Sequence, residues 1–477
     1  MRALSYIYIG TFNKKEVVIM YQIDFKNPIH VYFCGIGGIS MSGLAEILLS
    51  RGFRISGSDM KASDITNGLE AKGMKVYIGQ RSSNIADDID LFVYTAAIRE
   101  DNPEWMEMKA KNIPSLSRAE LLGEIMRNFQ LPIAISGTHG KTTTTSMVSE
   151  ILLSADLDPT ITVGGILKSI DGNTRIGQSN YFVTEACEYT NSFLSFFPKV
   201  SIILNIEEDH LDFFKDINDI RNSFTKFASL LPEDGALIIN GEIDNIPEIT
   251  KGLNVKVYTY GFDESCDYYA TDITYDEKNH ATYTLNSPKG TMEVSLGVPG
   301  LHNVSNSMAA ICCADVCSVD RDSIKAGLLR FGGTDRRFQY KGKIGELTII
   351  DDYAHHPTEI MTTLTTALKC EHKKLWVAFQ PHTYTRTKAF LHQFAEALSL
   401  ADGIILADIY AAREKNTIGI SSRDLQAEII KNGKDCYYFP TFDEIENFIL
   451  ENCSSGDMLI TMGAGDIVKV GESLLGI

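Results

Sequence analysis

Positive charge is scarce in this chain: Lys and Arg number 44 against 62 Asp and Glu over 477 residues, a formal charge of −18 at pH 7. That balance argues against a broad basic face for nucleic acid or anionic lipid, so an anionic ligand has to be met by local groups. Paired cysteines are missing too. The nine cysteines (Cys34, Cys187, Cys266, Cys312, Cys313, Cys317, Cys370, Cys436, Cys453) contain no C-x-x-C spacing, which predicts reduced thiols, a cytoplasmic protein and no structural disulfide. No uncharged apolar run reaches the ~18 residues needed to span a bilayer, so no membrane insertion is expected. The short apolar segment 4–9 precedes Lys14, Lys15 and Glu16 and has no small-residue cleavage site, which argues against a signal peptide. Internal repeats and low-complexity tracts are absent.

What is present is ordinary globular usage, with 44% apolar and 22% charged residues. At roughly 150 residues per domain the length predicts about three domains. Residues 1–19 read as an extension ahead of the first unit. Residues 29–34 are a β-rich run ending in Gly35-Ile36-Gly37-Gly38, followed by helical spacing from Met41. Strand candidates at 54–56, 75–78 and 91–95 continue the rhythm of a parallel sheet, giving a first domain over 20–129. A second unit, 130–331, opens with a strand over 131–136 and a helix over 143–153. Further strands are expected at 181–184 and 200–205, with antiparallel hairpins over 270–298 at one edge. Gly332-Gly333 reads as a hinge between a helix over 323–330 and a new strand over 347–350. Strands at 375–379, 403–407 and 458–461 then alternate with helices near 359–368, 389–400 and 423–431, a third α/β domain over 332–477. The fold class expected is α/β with a Rossmann-like first domain, a central P-loop ATPase-type sheet, mostly parallel with an antiparallel edge, and a Rossmann-like third domain.

The strongest chemical signal is Gly137-Thr138-His139-Gly140-Lys141-Thr142-Thr143, between a strand and a helix. Free backbone N–H groups and the helix dipole there hold a polyphosphate, Lys141 reaches the β- and γ-phosphates, and Thr142 offers its hydroxyl to Mg²⁺. Ile135 stands where the usual spacing has glycine, so the loop is a shortened variant. Glu185 and Glu207-Glu208-Asp209-His210 follow other strands, at the carboxyl ends where ligands sit in open α/β sheets, and suit a metal held jointly by protein and nucleotide. The Gly35-x-Gly37-Gly38-x-Ser40 turn fits a phosphate-bearing ligand, with Asp59 at the distance of a ribose-binding acid; Ser40 replaces the third glycine, and NAD or FAD stays open on this turn alone. His139, His210, His302, His355, His356 and His382 gather in strand-end or glycine-rich segments. The segment 299–306 opens a helix able to read a base edge. Arg336, Arg337 and Arg386 offer contacts to anions.

Together these motifs resemble the Mur ligases over about residues 28–470. The match runs through Gly35-Ile36-Gly37-Gly38-Ile39-Ser40-Met41-Ser42, the 137–143 loop, Glu185-Ala186-Cys187-Glu188, Asn205-Ile206-Glu207-Glu208-Asp209-His210 and Gly300-Leu301-His302-Asn303-Val304-Ser305-Asn306. Beyond the hinge it continues through Arg336-Arg337-Phe338-Gln339, Asp351-Asp352-Tyr353-Ala354-His355-His356-Pro357-Thr358-Glu359-Ile360, Phe379-Gln380-Pro381-His382-Thr383-Tyr384-Thr385-Arg386-Thr387 and Gly463-Ala464-Gly465-Asp466.

The resemblance implies an ATP- and Mg²⁺-dependent ligase of peptidoglycan precursor synthesis. It would join L-alanine to the carboxylate of UDP-N-acetylmuramate through an acyl phosphate, as a cytoplasmic monomer or homodimer. It assigns Gly35, Gly37, Gly38, Ser58, Asp59 and Thr95 to the UDP substrate. Gly137, Thr138, His139, Gly140, Lys141, Thr142 and Thr143 go to ATP, His302, Asn303 and Asn306 to the adenine, and Arg337 and Asp351 to phosphate and ribose. Thr142, Glu185 and His210 go to Mg²⁺, and Tyr353, His355 and Arg386 to the incoming amino acid, with Lys141, His210, His355 and Arg386 as the catalytic set.

Two departures are visible. Around 222–225 no lysine stands in register for the carbamylated lysine of many relatives, which agrees with the alanine-adding branch, and Thr383 occupies a position where some members carry arginine. The competing readings are a sibling ligase that adds a tripeptide, an NAD-dependent oxidoreductase, and a non-catalytic nucleotide-binding module.

Overall fold

The computed structural model describes residues 21–477; the expected extension 1–19, with its apolar segment 4–9, lies outside the described residues. Three sheets organise the chain. In the first, β1 (His30–Cys34), β2 (Arg54–Asp59), β3 (Lys75–Ile78), β4 (Leu91–Tyr94) and β5 (Ser115–Ser117) are all parallel in the order β3-β2-β1-β4-β5. The order reverses at β1, so the Gly35–Gly38 turn sits at the switch point where open sheets bind ligands.

The second sheet has ten strands: β6 (Leu131–Ser136), β7 (Thr160–Leu167), β8 (Gly172–Arg175), β9 (Tyr181–Ala186), β10 (Val200–Ile203), β11 (Ala236–Asn240), β12 (Lys256–Gly261), β13 (Tyr268–Tyr275), β14 (His280–Asn286) and β15 (Met292–Pro299). Their order is β15-β14-β13-β12-β11-β10-β6-β9-β7-β8. The expected hairpins are the antiparallel ladders β13-β14 and β14-β15. The third sheet, β16 (Gln339–Ile344), β17 (Leu347–Asp352), β18 (Leu375–Phe379), β19 (Gly403–Leu406), β20 (Cys436–Tyr438) and β21 (Met458–Met462), runs β16-β17-β21-β18-β19-β20 with only β16 antiparallel. The α/β class read from the sequence is thus observed.

Several details differ from expectation: β7, β8, β11, β12 and β20 were not foreseen, the glycine pair leads into β16 before β17 begins, and the helix expected over 389–400 is Leu391–Leu398, preceded by a separate short helix Tyr384–Ala389.

The cores are distributed unevenly. One apolar cluster runs without interruption from the first sheet into one face of the second, from Ile23 and Val31 through Leu122, Phe129 and Phe182 to Phe224 and Ile249. The other face of the second sheet is buried by the helices Lys141–Ser154, Leu301–Val316 and Arg321–Arg330. The third sheet keeps its own two clusters, one per face. All nine cysteines are free thiols, and among the described residues no helix is long and apolar enough to cross a membrane.

Candidate active site

The phosphate loop leaves β6 and enters the helix Lys141–Ser154 through two residues of positive φ, Gly137 at +142° and Gly140 at +82°. Both need glycine. At Gly140 the close approach adds to this, since a β-carbon would lie 2.9 Å from Asn306 Oδ1. Thr144 N–H is the first to bond back into the helix, reaching Gly140 O at 2.9 Å, so the amides before it face outward as helix N-termini do. Asn205 clamps the loop from β10's end: its Oδ1 accepts His139 N–H at 2.7 Å and its Nδ2 donates to His139 O at 3.1 Å. The His139 amide is therefore already committed.

Lys141 folds back onto its own loop. Its Nζ donates to Gly137 O, to Thr138 O at 3.1 Å and to Glu188 Oε2 at 3.0 Å. Burial alone would lower its pKa, but the Glu188 carboxylate outweighs that and raises it, so the ammonium stays charged. Glu188 is 2% exposed and its other oxygen lies 3.8 Å from His210 Nε2. In the sequence Glu188 closes the Glu185-Ala186-Cys187-Glu188 motif with no role of its own. Its signal was a second carboxylate three residues after Glu185, one that only the fold aims at Lys141.

The three residues expected at a metal lie at the ends of adjacent elements. Glu185 accepts the Gly164 N–H on β7, and a β-carbon at Gly164 or Gly165 would lie 2.8 Å from Glu185 Oε1 or 3.2 Å from Thr142 Cγ2. This glycine pair lets the backbone pass between the two donors. His210 stacks on Tyr189 at 4.4 Å, and burial lowers its pKa despite Asp209 and Glu188, leaving a neutral imidazole. Two hard oxygens and a neutral ring suit Mg²⁺ shared with a nucleotide. Among the described residues a further grouping, His139, Glu207 and His356, also brings ligand-type atoms within 4.8 Å of one another.

Beside the loop opens a cavity of about 840 Å³ whose wall includes His139, Thr143, His302, Asn303, Asn306 and Arg337. His302, Asn303, Asn306 and Arg337, expected at the nucleotide, thus share one cavity wall with the phosphate loop. Asp351 does not: fully buried, it accepts from Arg336 Nε at 3.1 Å and Thr461 Oγ1 at 2.7 Å, and Asp352 lines the cavity instead. The reason is strand alternation, which turns successive side chains to opposite faces. Burial raises the Asp352 pKa to about 6 against the pull of Arg337.

In the first domain the turn is built as expected but some of its polar groups are spent internally. Gly35 has φ +88° and lies under Thr95, whose Cγ2 would be 2.6 Å from a β-carbon there. Asp59 Oδ2 accepts Gly37 N–H at 2.9 Å, and Ser58 Oγ donates to the buried Glu104 at 2.6 Å, so Ser58 faces the interior. No side chain caps the helix Ile39–Ser50 at Gly38. Arg118, which belongs to none of the motifs above, donates to Ser40 Oγ at 3.2 Å; burial lowers its pKa, and among the described residues no carboxylate pairs with it. A desolvated guanidinium without a counter-charge is costly unless a ligand anion completes it.

The third domain closes over this arrangement. Arg386 donates to Asp209 Oδ1 through Nε at 3.1 Å and Nη2 at 2.9 Å, and its Nη1 lies 3.0 Å from His382 Nδ1. Tyr353, His355, His382 and Tyr410 follow in a chain of ring contacts at 5.4–5.7 Å. The His355 Nδ1 faces Tyr353 O at 3.0 Å and Glu359 Oε2 at 3.2 Å, both acceptors, which assigns its proton to Nδ1 and leaves Nε2 as the acceptor. Burial drops its pKa to about 3. His139 shows the opposite balance: burial would lower it, yet Glu359 at 3.1 Å and Glu207 at 3.5 Å lift it to about 9. Four non-glycine residues in the left-handed region, His210, Arg336, Phe338 and Thr383, lie around this cleft, the kind of place where backbone strain collects.

Three family descriptions match the chain in tandem: "Mur ligase family, catalytic domain" over residues 30–130, "Mur ligase middle domain" over 135–314 and "Mur ligase, glutamate ligase domain" over 336–465. The UDP-N-acetylmuramate–L-alanine ligase of Agathobacter rectalis is 62% identical over 457 residues, covering 96% of this chain and 100% of that protein; the same-named protein of Lachnospira eligens is 59% identical with the same coverage. Among solved structures, the UDP-N-acetylmuramate–alanine ligase of Thermotoga maritima superposes with a TM-score of 0.78 at 29% identity, covering 94% of this chain and 98% of that one. A murein peptide ligase from Psychrobacter arcticus gives 0.69 at 25% identity over the same shares.

Proposed function

The chain belongs to the Mur ligase family, and on that footing we propose that it is an ATP-dependent ligase joining L-alanine to the carboxylate of UDP-N-acetylmuramate in peptidoglycan precursor synthesis. The observation that carries the reading is the convergence of three motif sets on one cleft. The phosphate loop, the Glu185–Glu188–His210 group and the Tyr353–His355–Arg386 group meet there through the Arg386–Asp209 pair. Residues 20–129 hold the UDP sugar, 130–331 the ATP, and 332–477 close and bring the amino-acid pocket.

The muramyl carboxylate attacks the γ-phosphorus, forming an acyl phosphate as ADP leaves. The amine of alanine then adds to the acyl carbon, and the tetrahedral intermediate collapses to the amide and inorganic phosphate. Electrostatics dominates the first step. Lys141, held charged by Glu188, moves from the loop carbonyls to the phosphates. Thr142, Glu185 and His210 would hold Mg²⁺, which offsets charge on the transferring group when bound. The Gly35–Gly38 turn and Arg118 receive the diphosphate of the sugar nucleotide. In the second step Arg386 receives the alanine carboxylate, and the ammonium of the tetrahedral intermediate, more acidic than free alanine, gives up its proton in the cleft that holds His210, His355 and His356.

The test is phosphate release with ATP, Mg²⁺ and UDP-N-acetylmuramate, offering L-alanine, glycine, L-serine and the tripeptide in turn. Release with L-alanine is expected; release with the tripeptide alone would assign the sibling activity, and release with none would overturn the reading. Lys141→Ala should lose on the order of 10²-fold or more in rate, as when one preorganised donor is removed.

A further inference from the structure

We propose that Glu359 is the positioning residue that ties the amino-acid pocket to the phosphate loop, so that the pocket is set only when the third domain is seated on that loop. The inference rests on the ligase reading above.

Glu359 lies in the first turn of the helix Pro357–Ala367, where a carboxylate is favoured by the exposed N–H groups. Its side chain is 13% exposed. The two oxygens are divided between two sites 220 and 4 residues away in sequence. Oε1 is 3.1 Å from His139 Nδ1, on the phosphate loop. Oε2 accepts His355 N–H at 3.0 Å and lies 3.2 Å from His355 Nδ1, in the amino-acid pocket.

Among the described residues no other side chain bonds to both histidines, and the surroundings fix the geometry on both sides. His139 is tethered through its backbone by Asn205 and its ring lies tilted against that of His356 at 4.7 Å, while His356 Nε2 sits 3.0 Å from Glu208 O. The same Oε1 is 4.0 Å from Arg337 Nη1, and Arg337 lines the nucleotide cavity. His139 therefore competes with Arg337 for one oxygen. Seating the third domain gives Oε1 to His139 and leaves Arg337 to the nucleotide; lifting it removes His139 and returns Oε1 to Arg337. The carboxylate touches neither phosphate nor alanine in this scheme. It acts through His355, whose proton it helps keep on Nδ1.

A double-mutant cycle on the full chain tests this, because coupled residues fail to add. Glu359→Gln, His139→Gln and the double variant are assayed for kcat and for KM of L-alanine, with UDP-N-acetylmuramate affinity measured by calorimetry. Glu359→Gln is expected to lower kcat and raise KM for alanine, by about tenfold or more in kcat/KM, with UDP-N-acetylmuramate affinity unchanged. The double variant should be no worse than the poorer single one. Multiplying effects, or a Glu359→Gln enzyme equal to wild type, would overturn the inference. If Glu359→Gln does not fold, Glu359→Asp, which keeps the charge and shortens the reach, replaces it in the cycle under the same criteria. Wild type assayed in parallel separates the two levels: no alanine-dependent phosphate release there sinks the ligase reading, whereas active wild type with an additive cycle sinks only the role of Glu359.

Discussion

The central sheet has two seams, and they are built from opposite materials. Toward the first sheet the seam is apolar: Phe129 packs on Phe182 at 4.9 Å and on Phe25 at 5.9 Å, inside one continuous core. Helix Arg118–Met126 approaches so closely that a β-carbon at Gly123 would sit 1.9 Å from Ser195 O. Toward the third sheet the seam is polar. It consists of Arg386–Asp209, His356–Glu208 O, Thr358–Glu207, His139–Glu359 and Asn279–Thr366 O. Apolar burial holds regardless of orientation and offers no alternative partner, whereas each polar group on the second seam can exchange its partner for water or a ligand. The first two sheets share one core while the third keeps its own, and on that contrast we propose that the third domain is the part that opens, on a hinge at Gly332-Gly333.

Four experiments put that contrast to the test. The largest effect is expected from Asp209→Ala, which leaves the nearly buried Arg386 guanidinium unpaired; breaking such a pair costs about 3–5 kcal/mol. It should appear as a loss of about 10²-fold or more in kcat/KM for alanine, with the main thermal transition little moved. Phe129→Ala should do the reverse. Truncating this 8%-exposed ring costs about 3–5 kcal/mol of stability, lowering the melting temperature seen by calorimetry while folded enzyme keeps its kcat.

Third, pH should act on the polar seam alone. His139 has its pKa raised to about 9 from 6.5, so the contribution of its charge is complete below about pH 6.5 and is lost as pH rises through about 9. Interdomain distance by fluorescence transfer should lengthen across that window, and His139→Gln should lack the transition. The smallest effect belongs to Thr358→Val, which removes the 2.7 Å bond to Glu207 at an exposed position. About 1 kcal/mol or less is at stake, read as under tenfold in kcat/KM for alanine.

How much of this was legible in the sequence depends on range. The phosphate loop, the Gly35 turn and the strand and helix flanking each one follow from glycine placement and apolar spacing within a dozen residues. β7 was not among the expected strands; in the fold its Gly164 lies against the Glu185 carboxylate and its Gly165 against the Thr142 methyl. Asp351 and Asp352 differ by one position, and only strand register decides which faces the cavity. Glu188 and Glu359 stand inside recognisable motifs and Arg118 outside them, but nothing local tells which partner each one meets.

Local chemistry, then, is what the chain wrote directly: which loop can grip phosphate, which segments alternate as strand and helix, which side chains have the right donors. The fold alone decided pairing over distance, such as His139 with Glu359 across 220 residues and Lys141 with Glu188 across 47. The reason is physical. Backbone conformation is set by near neighbours, but the charge state and partner of a buried group depend on what long-range packing brings within about 4 Å of it.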